Sequence, residues 1–363
     1  MKQRLLPALF ILSLALFQSC KKDRDEAPKE KETVGVYVLY QGSWPNNNSG
    51  IAYYNMRTGQ TEPDYFKTVN GYPLGESGQD LQQYGNKIYC VVSGTQGEKK
   101  SFLEVIDPAT GKSLKRISFN SETTGYMPRY ITFYKNKAYV SAYDGKIRRV
   151  DTASLAIDGE VQAGGAMEGI AIANNKIYTA NSDHILFPGV TKNTVSVVDI
   201  ASFTKLKEIN VSANPLKIVS TESGDVYVVS SGNYADILPA YQKISSQTDA
   251  VTATYQADIS SLAVFGNAGY AITDPYSSPA IKSLDFSTGQ LGSNFITDAT
   301  SVTTPYGVTI NTLNGDVVIS DANNYGPQGQ AFYFSADGKL SFKFATGANP
   351  ANAVFVYDTK LKI

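Results

Sequence analysis

One apolar segment recurs seven times, and this repetition limits the fold more than any other feature of the chain. The copies read GVYVLYQG at 35–42, NKIYCVVSG at 86–94, NKAYVSAYDG at 136–145 and NKIYTANS at 175–182. They continue as GDVYVVSSG at 224–232, NAGYAITD at 267–274 and GDVVISDAN at 315–323. Tyr37, Tyr89, Tyr139, Tyr178, Tyr227, Tyr270 and Val318 are equivalent, spaced about 47 residues apart on average. A second strand follows most copies and ends on Asp, as in LEVID at 103–107, IRRVD at 147–151, VSVVD at 195–199 and IKSLD at 281–285. A more polar third strand comes next, such as LKRISF at 114–119. A further strand precedes the copies, as in PRYITFY at 128–134, EGIAIA at 168–173, PLKIVS at 215–220 and YGVTI at 306–310.

Four short strands per unit with no convincing helix predict an all-β protein, a seven-bladed β-propeller with four-stranded blades. A solenoid would need caps, and no atypical terminal unit is present. The chain opens on a copy of the second blade strand and ends on a copy of the first, NPANAVFVY at 349–357. The C-terminal strand is therefore expected to pair into the N-terminal blade and close the ring.

This architecture sorts the loops onto two ends. Turns between the first and second strands (YGNK, YKNK, ANNK) and between the third and fourth (PATGK, STGQ, ADGK) are tight hairpins. The links between second and third strands are longer and aromatic. They are QGSWPNNNSG at 41–50, NSDHILFPGVTKN at 181–193, SSGNYADILPA at 230–240, TDPYSSPA at 273–280 and SDANNYGPQGQ at 320–330. The expected ligand-binding face therefore carries Trp44, His184, Phe187, Tyr234, Tyr276 and Tyr325, joined near the axis by Arg129, Glu168 and Tyr306. Glu76 is also placed at the central funnel.

Composition removes several function classes. Lys plus Arg total 32 against 33 Asp plus Glu, which offers no polyelectrolyte footprint for nucleic acid. The single histidine, His184, rules out a multi-histidine metal site, and any Ser-His-Asp or Cys-His arrangement would have to use it. ATGKS at 109–113 lacks the earlier glycine of a phosphate-binding loop, since that position is Ile106. Asp321-Ala322-Asn323-Asn324-Tyr325-Gly326 begins like a calcium loop but has no third ligand and no closing Glu. No catalytic residue, metal ligand or cofactor site is assigned.

The N-terminus reads as an address. Lys2 and Arg4 precede an apolar run from Leu5 to Phe17, too short to span a bilayer. The following Gln18-Ser19-Cys20 resembles a lipobox, with Phe17 where Leu is usual. The expected organisation is a lipoprotein signal peptide at 1–19, lipidated Cys20 with a charged tether over 20–33, and the propeller over 34–363. Asp23-Arg24-Asp25-Glu26 is similar to acidic export tags of surface lipoproteins. Cys90, in an apolar strand, is expected to be an inert buried thiol.

PRYI at 128–131, MEGIAIANNKIYTANS at 167–182 and the repeated Asp-ended strands resemble YncE-like, surface-layer-type seven-bladed propellers. QGSWPNNNSGIAYYN at 41–55 and PLGESGQDLQQYGNKIY at 73–89 are similar to a branch of lipid-anchored bacterial surface propellers. That branch includes proteins that capture cobalamin and pass it to a TonB-dependent outer-membrane transporter. The resemblance implies a non-enzymatic capture lipoprotein at the outer-membrane surface, a corrinoid as bound ligand, and membrane contact through the lipid alone. A lactonase- or lyase-type propeller enzyme with a divalent ion in the funnel is one alternative that the residues leave open. A protein–protein platform without a small ligand is another.

Overall fold

A computed structural model describes residues 29–43, 46, 48–182 and 193–361. The expected signal peptide, Cys20, the tether as far as residue 28, Trp44, His184 and Phe187 lie outside the described residues. Seven four-stranded antiparallel sheets make up the chain, in the all-β architecture expected from the repeat. Blade 2 is typical: Ser77–Tyr84, Lys87–Ser93, Phe102–Ile106 and Ser113–Ser118, in order from the axis outward. The inner strands of blades 3 to 7 are Pro128–Tyr134, Met167–Ala173, Pro215–Ser220, Ile259–Phe265 and Pro305–Ile310, and successive ones pack against each other around the axis.

Blade 1 is assembled from both chain ends. Pro350–Leu361 is its inner strand and pairs antiparallel with Lys29–Tyr40, which is followed by Gly50–Asn55 and Thr61–Glu62. The register runs from Lys29 opposite Leu361 to Tyr40 opposite Pro350. Residues 29–33, expected to be solvated tether, therefore belong to a strand. Their backbone groups find ladder partners, and Arg57 bridges Glu32 at 2.6 Å and Asp358 at 2.9 Å. Among the described residues one helix breaks the all-strand expectation. Tyr65–Asn70 buries Phe66, and Gly71 ends it in the left-handed conformation with φ 77°.

The second strand of each blade lies between neighbours on both sides, which is why its sequence is apolar almost throughout. Lys87–Ser93 is buried from Ile88 onward, whereas the outer strand Ala250–Gln256 alternates exposed and half-buried residues. Three of the recurrent tyrosines fasten their blade to the next. Tyr37 donates to the Pro108 carbonyl at 3.1 Å, Tyr227 to the Phe286 carbonyl at 2.6 Å, and Tyr178 to the Asp249 carboxylate. All three acceptors sit in the turn between third and fourth strands of the following blade. Tyr89, Tyr139 and Tyr270 find no such acceptor among the described residues, and a cavity of about 410 Å³ opens beside Tyr270 between blades 6 and 7. In four blades an Asp at the end of the third strand organises the same turn. Asp107, Asp151, Asp199 and Asp285 each accept from backbone amides two or three residues on.

Candidate functional site

Every inner strand carries a register irregularity near its upper end, where the long loops lie. The breaks fall at Gly78/Asp80, Pro128/Ile131, Met167/Ile170, Pro215/Lys217, Ile259/Ser261, Pro305/Gly307 and, in blade 1, Val38/Tyr40. A β-bulge releases its extra residue from the ladder and re-aims the side chain. Gln79, Arg129, Tyr130, Glu168 and Tyr306 are such residues, so the bulges present them at the mouth of the ring. The inner strands approach so closely here that a Cβ on Gly169 would lie 2.6 Å from the Ile218 nitrogen.

Arg129 and Glu168 form the polar centre of this mouth. Arg129 Nε donates to Glu168 Oε2 at 2.9 Å, and Arg129 Nη1 donates to Gln79 Oε1. Tyr143 donates its hydroxyl to Glu168 Oε1, and its ring lies 4.8 Å from the guanidinium. Both carboxylate oxygens of Glu168 are thus engaged. Burial opposes the charge on Arg129, but the Glu168 carboxylate overrides it and holds the proton more tightly than usual. Lys217 extends the cluster, donating to the Tyr130 hydroxyl at 2.7 Å with its ammonium 4.4 Å from that ring. Below, buried Asp80 accepts from Ile131 N at 3.1 Å, Gln82 at 3.0 Å and Asn352 at 2.9 Å. Desolvation nevertheless leaves its carboxyl above the ordinary aspartate value.

Aromatic side chains lead outward from this centre. Tyr306 donates to Gln41 Oε1 at 2.6 Å, and burial, with Tyr130 and Tyr325 nearby, pushes its phenol up to about 12. Tyr325 meets Tyr306 edge-on, with ring centroids 6.3 Å apart. Tyr276 follows, beside Tyr325 and Tyr234, and is 81 % exposed. Tyr234 is 84 % exposed, and Ile237 and Leu238 of the same loop are also uncovered.

The loops hold these rings at a conformational cost. Tyr234 and Tyr325 both have φ of 58°, and Tyr325 follows Asn323 and Asn324 at 48° and 57°. A bulky side chain in this left-handed region costs about 1–2 kcal/mol. Hydrogen bonds fix the backbone that imposes it. Asn233 Oδ1 accepts from Ala235 N at 3.1 Å and Ile237 N at 2.8 Å. Asp321 accepts from the amides of Thr303, Thr304 and Asn323 at 3.1, 2.8 and 2.8 Å. That occupied, buried carboxylate anchors a loop, which accounts for the calcium-like stretch at 321–326.

Of the expected residues, Arg129, Glu168, Tyr234, Tyr276, Tyr306 and Tyr325 come together on one face. Glu76 does not join them at the funnel. It pairs with Lys100 at 2.7 Å, accepts from Thr95, and lines a separate rim cavity of about 450 Å³ together with Tyr72, Phe102 and Arg116. Gln79, Tyr130, Tyr143 and Lys217 were not anticipated, although polar residues such as Lys217 in PLKIVS, inside an otherwise apolar inner strand, carry that signal. Among the described residues no three His, Cys, Asp or Glu side chains are grouped as a metal site requires, and no cofactor is indicated.

Comparison with solved structures agrees with this architecture. A quinonprotein alcohol dehydrogenase-like protein from Bacteroides thetaiotaomicron superposes with a TM-score of 0.64 at 16 % identity, covering 90 % of this chain and 79 % of that one. Hydrazine synthase from Kuenenia stuttgartiensis gives 0.53 at 14 % identity over 69 % and 74 % of the two chains. The Pan2 WD40 domain of Neurospora crassa gives 0.53 at 10 % identity over 75 % and 79 %. At these identities the likeness establishes the propeller fold alone. No curated protein matches the sequence. A family model does match residues 34–355, and the chain belongs to that family, the domain of unknown function DUF5074.

Proposed function

We propose that this propeller is a non-enzymatic capture protein whose upper face holds a broad, flat, partly apolar ligand. The observation that carries the reading is the pair of strained, solvent-exposed tyrosines, Tyr234 and Tyr325, flanking exposed Tyr276. Large aromatic rings kept in a costly backbone conformation and left uncovered add little to folding, but they suit stacking on a ligand. Arg129 and Glu168 behind them are mutually satisfied, which favours a positioning and hydrogen-bonding role over acid–base chemistry.

The resemblance to lipid-anchored surface propellers supplies the ligand class. A corrinoid such as cobalamin is a wide disc fringed with amides, matched to tyrosine faces and to the Asn and Gln side chains around them. Under this reading the chain is anchored through Cys20 at the outer-membrane surface and hands its ligand to a TonB-dependent transporter. The test is to pass the soluble ring, from residue 29 onward, through a desalting column with excess cyanocobalamin. Red protein supports corrinoid capture, and colourless protein overturns it.

A further inference from the structure

We infer that the paired ends of blade 1 form a stalk that turns the aromatic face away from the surface to which the chain is tethered. The inference rests on the reading of Cys20 as an anchor. In blade 2 the second strand begins at Lys87, which the equivalence of Tyr89 and Tyr37 matches to Gly35. In blade 1 the strand begins six residues earlier, at Lys29, and its partner continues to Leu361. The third strand pairs only with Gly35 to Tyr40, so the extension is a two-stranded ribbon. At about 3.3 Å per residue the extension is roughly 20 Å long, and the part before Thr33 stands clear of blade 7.

Direction follows from topology. Second strands run from the tight turns, such as Gly85-Asn86, toward the aromatic loops, so Lys29 and Leu361 lie at the end opposite Tyr234, Tyr276 and Tyr325. The ribbon's base is tied to the ring. Asn311 of blade 7 donates to Thr33 Oγ1 at 2.8 Å and accepts from the Tyr357 hydroxyl at 2.9 Å. Arg57, in the adjacent turn, holds one carboxylate from each strand. Lys31, Asp358 and Thr359 of the ribbon are exposed, as befits an element standing in water. Any tether from Cys20 joins its tip.

The experiment uses the full chain expressed in a Gram-negative host. Cys20→Ala is compared first, and it should lose the lipid that the wild-type chain carries. Radiolabelled palmitate fed to the cells should label the wild-type chain and not Cys20→Ala, and an unlabelled wild-type chain overturns the anchor reading and the stalk with it. The acylated protein is then placed in vesicles carrying an acceptor dye on the lipid headgroup. A donor dye is attached through Asn86→Cys or Tyr276→Cys, with buried Cys90 left in place. Energy transfer should be larger from position 86 than from position 276, and the difference should shrink in Glu32→Pro and Arg57→Ala. Equal or reversed transfer overturns the orientation. A difference that survives both ribbon variants with the ring still folded overturns the role of the ribbon.

Discussion

Arg129 and Glu168 occupy bulges of neighbouring inner strands and meet across the seam between blades 3 and 4, Nε to Oε2, at 2.9 Å. Their side chains are 20 % and 8 % exposed, so removing either leaves a largely buried charge without its partner. Loss of one member of a buried pair typically costs about 3–5 kcal/mol, and the remaining exposure places Arg129→Met near the lower end. Replacing both residues by apolar ones should cost less than the sum of the single changes. Urea denaturation of the two single variants and the double variant measures this, and additive losses would contradict the coupling.

The tyrosine fasteners differ in strength although the sequence repeats them. Tyr227 is fully buried and its hydroxyl satisfies the Phe286 carbonyl, so Tyr227→Phe should destabilise the ring by about 1–2 kcal/mol. Tyr270 has no acceptor among the described residues, and Tyr270→Phe should change stability by less than about 0.5 kcal/mol. Equal losses in chemical denaturation would show that Tyr270 is fastened after all.

Backbone strain at the aromatic loops gives a sign that an ordinary exposed loop would not. Tyr234 is left-handed, whereas Tyr276 is not among the residues with positive φ. Glycine adopts the left-handed region freely, so Tyr234→Gly should leave stability unchanged or raise it by up to about 1 kcal/mol. Tyr276→Gly should lose about 0.5–1 kcal/mol through the added freedom of the unfolded chain. Thermal melts of the two variants decide the point, and matching losses would remove strain from the argument.

Glu76 carries an acid dependence. Burial pushes its carboxyl up, but the Lys100 ammonium and the Thr95 hydroxyl and amide outweigh that and hold it below the usual glutamate value. A carboxyl that is more acidic in the fold than in the unfolded chain contributes stability above about pH 4.3, and loses it as pH falls through the folded value. The wild-type protein should therefore lose stability more steeply than Glu76→Gln between about pH 5 and about pH 3. Parallel slopes in pH-dependent denaturation would contradict the assignment.

The ring was legible because its signals are local. Seven apolar strands with tyrosine at one position, hairpin turns of Gly and Asn, and matching chain ends define blades without tertiary information. The helix Tyr65–Asn70 escaped notice because six residues show too little periodicity, although Gly71 supplied a stop signal. The mouth was legible in part. Loop topology gathered Tyr234, Tyr276 and Tyr325, but the neighbours of Arg129 depend on bulges, which only strand register reveals. Glu76 was misplaced for a related reason: Thr95 and Lys100, from the next long loop, draw its carboxylate to the rim.

The capture reading meets its most direct test in titration calorimetry of cyanocobalamin against the wild-type ring and a Tyr276→Ala/Tyr325→Ala double variant. Both side chains are more than half exposed, so their loss should leave the melting temperature nearly unchanged. Aromatic contacts at the centre of a binding face commonly carry more than about 1.4 kcal/mol, so affinity should fall at least about tenfold. Unaltered affinity in a folded double variant would contradict capture on this face.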